Sequence, residues 1–139
     1  MTAVSAEFRR EIEAIDEVFA FLETFVDGQE IDEKTAFCIN LVVEELFTNM
    51  VRHNEGGGDQ ITVTIERRND RVHIELVDVD VEPFDPETAD VPAVNAGIEE
   101  RRPGGLGLYL VRKMVDDLNY DYAAEDRRMR IRVTKTLEN

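Results

Sequence analysis

The stretch from Ala36 to Val51 places the strongest constraint on how this chain can fold. Ala36, Phe37, Ile39, Leu41, Val42, Val43, Leu46, Phe47, Met50 and Val51 cover most of a helix circumference, so much of the segment must be buried. The helix is expected from about Asp32 to His53, with Asp32 as N-cap and the glycines at 56 to 58 ending any continuation. Polar residues interrupt it in a pattern. Glu45, Asn49 and His53 recur every four residues and line one face, while Glu44 points well away from them. An unpartnered buried carboxylate or amide is costly, so the row either meets a ligand, a metal or a polar cavity, or is a solvated strip on an amphipathic helix.

Other elements follow from periodicity. Ile12, Ile15, Val18, Phe19, Leu22 and Phe25 have helical spacing within Glu11 to Phe25, and Asp27-Gly28 stops that helix. Ile61, Val63 and Ile65 alternate with polar residues, as do Val72, Ile74 and Leu76 after Asn69-Asp70, which predicts a β-hairpin. A third helix begins near Gly107 and carries Leu108, Leu110, Val111, Met114, Val115 and Leu118. The last hairpin joins Tyr120–Ala124 to a strand with Met129, Ile131 and Val133, through a turn at Glu125-Asp126. Between Val79 and Pro103 lies a long stretch without clear period, containing four prolines, of the kind that forms lids or stays disordered. The order helix, helix, hairpin, helix, hairpin predicts an α+β two-layer sandwich, a mostly antiparallel sheet with helices on one face.

The 139 residues fit one domain with one core, and no apolar run is long enough to span a bilayer. The start, Met1 to Ile12, is polar and charged and does not read as a signal peptide. Cys38 is the only cysteine, which excludes a disulfide framework or a zinc cluster and favours the cytoplasm. A formal charge of -15 repels phosphodiester backbones and disfavours direct nucleic-acid binding. The same acidity would attract a basic protein face, or serve solubility alone.

Three groups of residues carry chemistry. An amide oxygen at Asn49 beside a carboxylate suits magnesium, which keeps several waters and takes one or two protein ligands alongside phosphate oxygens. Glu45, one turn earlier, could accept the proton of an attacking hydroxyl or water if it is ionised, and His53 reads as a helix-end residue meeting the dipole. Pro103-Gly104-Gly105-Leu106-Gly107 precedes an apolar-periodic helix, where glycines let backbone N–H groups approach an anion or simply make a tight connection. Arg101 and Arg102 just ahead could reach phosphate or lie on the surface. Asp78 shares the parity of Val72, Ile74 and Leu76, so it points inward as an acceptor for an adenine amine, unless the strand ends at Val77 and Asp78 is a turn residue.

In this order the pieces resemble the GHKL ATPase superfamily (the Bergerat ATP-binding fold), and more narrowly the bacterial anti-sigma factor serine/threonine kinases. The likeness spans about the whole chain. Val43-Glu44-Glu45-Leu46-Phe47-Thr48-Asn49 resembles the N box, Asp78 to Pro86 the G1 box, and Gly104-Gly105-Leu106-Gly107-Leu108 the G2 box, while Thr134-Lys135-Thr136-Leu137 is similar to how such domains end. The resemblance implies ATP and magnesium as cofactors, with Glu45 as catalytic base and Asn49 as magnesium ligand. Asp78 would read adenine, and the G2 residues with Arg101 would bind phosphate. Residues 80–103 would form the ATP lid. No segment resembles a phospho-accepting helical domain, so the phosphate would pass to a separate protein. In the family that is an anti-sigma-factor antagonist, the competing partner is a sigma factor, and a homodimer is usual.

The chain departs from the family at Asp80, where a glycine is normal two residues after the adenine-reading acid. Aligning from Phe84 instead would put Val79 at the acid's position, but strand parity favours Asp78. A side chain and charge at Asp80 sustain a second expectation, a GHKL-fold protein-binding module with weakened or lost ATP binding.

Overall fold

The computed structural model describes residues 3–53, 59–79 and 105–138. In chain order it contains β1 (Val4–Arg9), a 3-10 turn (Ile12–Ala14), α1 (Ile15–Gly28), α2 (Glu33–His53), β2 (Gln60–Arg68), β3 (Arg71–Asp78), α3 (Gly105–Met114), β4 (Asp117–Ala123) and β5 (Arg128–Thr136). The five strands form one sheet in the order β1-β2-β3-β5-β4, every neighbouring pair antiparallel. This is the expected α+β sandwich. Ile61, Val63 and Ile65 of β2, Val72, Ile74 and Leu76 of β3, and Met129, Ile131 and Val133 of β5 are buried on one face, and helix residues close over them.

The alternation that builds this face also aligns it. Register places Val63 and Ile131 beside Leu76, and Ile65 and Val133 beside Ile74, so each buried row crosses three strands. Asn69 takes a positive φ of 57° in the two-residue turn between β2 and β3, a conformation asparagine tolerates, and this turn holds the register.

Three boundaries differ from the sequence expectation. β1 has no counterpart in the sequence expectation, because Val4, Ala6 and Phe8 alternate over a short, largely exposed edge strand in which Phe8 alone is buried. Helix α1 begins at Ile15, later than Glu11, since Ile12–Ala14 winds as the tighter turn. Helix α3 starts at Gly105 and stops at Met114, and Leu118 packs from β4 into the core. An apolar residue near an element boundary satisfies helical and strand periods alike, so local pattern could not assign Leu118.

α2 starts as expected. The backbone N–H of Thr35 donates to Asp32 Oδ2 at 2.9 Å, an N-cap in which the carboxylate satisfies an otherwise orphaned helix donor. Burial tends to raise the Asp32 pKa, but the hydrogen bonds from Thr35 outweigh it and hold the carboxyl below its usual value. A depressed folded pKa means the cap contributes above the ordinary aspartate range and is lost as pH falls through the folded value. Asp32→Ala is expected to cost about 1 kcal/mol in urea unfolding at neutral pH. The difference from the parent should shrink in acid.

No helix among the described residues is long and apolar enough to cross a membrane.

Candidate functional site

Asn49, in the middle of the polar row of α2, does not lie on a solvated strip. Asn49 is 1% exposed in a helix whose neighbours Leu46, Phe47 and Met50 are all core residues. Its amide Nδ2 donates to the backbone carbonyl of Glu45 at 2.6 Å, the carbonyl that also accepts from Thr48 Oγ1 at 3.3 Å. That bond fixes the amide orientation, because reversing it would set oxygen against oxygen. Asn49 Oδ1 is then a buried acceptor with no hydrogen-bond partner among the described residues. Native structures rarely leave such an atom unmatched without a ligand or a strain-bearing role.

Glu45 is half-buried and Glu44 exposed, as their helical phases require. Burial pushes the Glu45 carboxyl above its ordinary pKa, the charge of Glu44 pushes it further, and Arg52 pulls it back. A carboxylate poised this way is a stronger base than a solvated glutamate once ionised. His53 ends the described part of α2, and its side chain lies outside the described residues.

Asp78 belongs to β3 and is fully buried, which excludes the turn alternative. Val79 lies past the strand, so the pleat itself selects Asp78 over Val79 as the inward position. Register sets Asp78 beside Ile61 and Met129, with Phe8 next in the same row, so a carboxylate stands where the pattern calls for a hydrophobe. Arg10, just past the end of β1, supplies its counter-charge. The guanidinium Nη2 is ion-paired with Asp78 Oδ1, and Nη1 donates to the backbone carbonyl of Met50 at 3.1 Å. Burial lowers the Arg10 pKa and the charge of Asp59 opposes that shift, but a guanidinium stays protonated in proteins.

Sequence reading missed Arg10, although a signal was present. Val4, Ala6, Phe8 and Arg10 share one parity, so a basic residue ends an inward-facing alternation just as Asp78 ends another.

The glycines sit differently from the expected turn. Because α3 begins at Gly105, both Gly105 and Gly107 fall in its first turn, with Leu106 and Leu108 between and after them. Backbone N–H groups of a first helical turn have no partner within the helix and carry the positive end of its dipole, so an anion at these glycines would meet a helix start and not a loop. Arg101, Gly104, Asp80 and the expected lid at 80–103 lie outside the described residues.

Among the described residues no three His, Cys, Asp or Glu side chains gather as a metal cluster. The orphaned Asn49 oxygen therefore fits a hard cation that takes few protein ligands and completes its shell with water and phosphate, as magnesium does. A separate concavity of about 390 Å³ lies on the outer face of the sheet, among Thr64, Glu66, His73, Glu75, Arg132 and Thr134. It contains none of the residues above.

Residues 8–135 match the model of the histidine kinase-like ATPase domain. The chain belongs to that family. Membership implies an ATP-binding domain of GHKL type, in keeping with the helix, strand and glycine arrangement just described. No curated protein matches this ATPase-family chain by sequence. Among solved structures it is similar to a chain of the SiaB-SiaC complex from Pseudomonas aeruginosa, at 18% identity and a TM-score of 0.63, covering 94% of this chain and 88% of that one. The Acinetobacter baumannii histidine kinase AdeS gives 12% identity and a TM-score of 0.52, covering 100% of this chain and 70% of that one. The catalytic domain of histidine kinase ThkA gives 15% identity and a TM-score of 0.52 over 99% and 97% of the two chains. At these identities the likeness is one of fold.

Proposed function

We propose that this chain is a Mg-ATP-dependent protein kinase that phosphorylates a serine or threonine of a small antagonist protein and acts as an anti-sigma regulatory factor in a partner switch. The buried Oδ1 of Asn49, without a hydrogen-bond partner among the described residues and one turn after a half-buried carboxylate, carries the reading.

In this reading Asn49 Oδ1 holds the magnesium, which when bound neutralises charge on the phosphate oxygens. Glu45 accepts the proton of the attacking hydroxyl. Backbone N–H groups from Gly105 to Leu108, with Gly104 and Arg101 ahead of them, cradle the phosphates, and Asp78 accepts from the adenine amine. The fold likeness to a chain of the SiaB-SiaC complex supports a protein partner. A sigma factor would be the competing partner and the cytoplasm the compartment.

Terminally labelled ATP, magnesium and a candidate antagonist protein should yield label on a serine or threonine of that protein. Label that stays in nucleotide or appears only as free phosphate would sink the kinase reading. A second reading, a protein-binding module with weakened nucleotide binding, is favoured by one observation: Asp78 is already engaged by Arg10. Calorimetric titration with Mg-ATP separates the two, since micromolar binding supports the kinase and millimolar or undetectable binding the module.

A further inference from the structure

Arg10 and Asp78 form a nearly closed ion pair, with side chains 9% and 0% exposed, at the end of the sheet from which β3 exits. The same guanidinium reaches the carbonyl of Met50, the residue after Asn49, and so bridges α2 to the acid of β3. Nothing about the fold demands a charge pair here. The row occupied by Asp78 otherwise holds Phe8, Ile61, Met129 and Tyr122, and buried ion pairs replaced by hydrophobes of similar size are often neutral or stabilising. A costly pair at the base-reading acid of a nucleotide site has a functional consequence.

We infer that Arg10 is a specificity-determining residue of the nucleotide site, which holds Asp78 in an internal ion pair that the purine must displace before its exocyclic amine can be read. The inference rests on the nucleotide-binding reading above and deepens it. The amine of a neutral base offers Asp78 a hydrogen bond assisted only by the carboxylate's own charge, whereas the guanidinium brings a full opposite charge to it in a buried setting. The internal partner also needs no association entropy, so the base competes at a disadvantage. Two outcomes follow. ATP binds more weakly than it would to a site whose acid stood free, and discrimination between purines with and without the amine is blunted.

The experiment compares calorimetric affinities for Mg-ATP and Mg-ITP, which carries a carbonyl in place of the amine, in the parent and in Arg10→Gln. Glutamine keeps a donor for the Met50 carbonyl but brings no charge to Asp78. Mg-ATP is expected to bind about tenfold more tightly to the variant, the size of one modest hydrogen bond released, while Mg-ITP changes little. A role in packing alone would move both nucleotides together. Arg10→Lys retains a charge beside Asp78 on a compact head that cannot bridge both partners, so it folds where the glutamine variant does not and gives a smaller gain of the same sign. Circular dichroism melts accompany both. Equal or weaker ATP binding in the folded variants, or a gain shared by ITP, overturns the inference while leaving the kinase reading intact. Absence of binding by parent and variants alike, at millimolar nucleotide, removes both.

Discussion

Glu45→Gln should transfer phosphate about 10²–10⁴ times more slowly than the parent, bind Mg-ATP with similar affinity and melt slightly higher. The rate loss follows if Glu45 is the base, since glutamine keeps the shape and loses the proton acceptor. The stability gain follows from the pKa. Burial, then Glu44, raise the carboxyl above its ordinary value despite Arg52, so the fold favours the neutral form of this side chain. A raised folded pKa contributes stability that is present below the unfolded pKa and lost as pH rises through the folded one. At neutral pH the charged Glu45 is a liability that glutamine removes. For the same reason the acidic limb of the parent's pH-rate profile is expected above the range of a solvated glutamate. A variant with undiminished transfer would remove Glu45 from the chemistry, whatever its melting temperature.

The largest loss of stability is expected from Phe47→Ala, about 3–5 kcal/mol of the roughly 5–15 kcal/mol that holds a domain together. Phe47 is wholly buried on α2 and meets the Phe8 ring edge-on at 6.5 Å, while Phe8 in turn meets Phe21 of α1 at 5.6 Å. Three phenylalanines thus tie the edge strand and two helices together through Phe8, and alanine at position 47 leaves a cavity that close-packed neighbours cannot fill. Phe37→Ala is the control on the same helix. Its side chain is 66% exposed, and its removal should shift urea stability by no more than about 0.5 kcal/mol. Equal costs at the two positions would mean that α2 is seated differently from the structure described.

These cases also show which features local pattern could reveal. Helix α2, its cap at Asp32, the hairpin turning at Asn69 and the inward aim of Asp78 all depend on spacing between near neighbours in the chain. They were legible for that reason. The face of Phe37 was not, because α2 is apolar on several sides and period alone cannot say which side is left uncovered. Leu118 illustrates the same ambiguity between helix and strand. Gly104 to Gly107 fit a turn by composition because glycine permits turns, yet glycine also accepts the helical angles of the first turn of α3.

By itself the sequence determined the α+β class, the alternating strands that make one buried face, the placement of Glu45 and Asn49 one turn apart, and a carboxylate at an inward strand end. Tertiary structure alone decided that the edge strand β1 exists, that Asn49 turns its amide onto the carbonyl of Glu45 and leaves its oxygen unmatched among the described residues, and that Arg10 meets Asp78. The physical reason is the range of the interactions. Periods of two and 3.6 residues are written between adjacent side chains, whereas an ion pair joining the end of β1 to the end of β3 exists only after the sheet has ordered its strands and brought two distant inward positions to the same edge of the core.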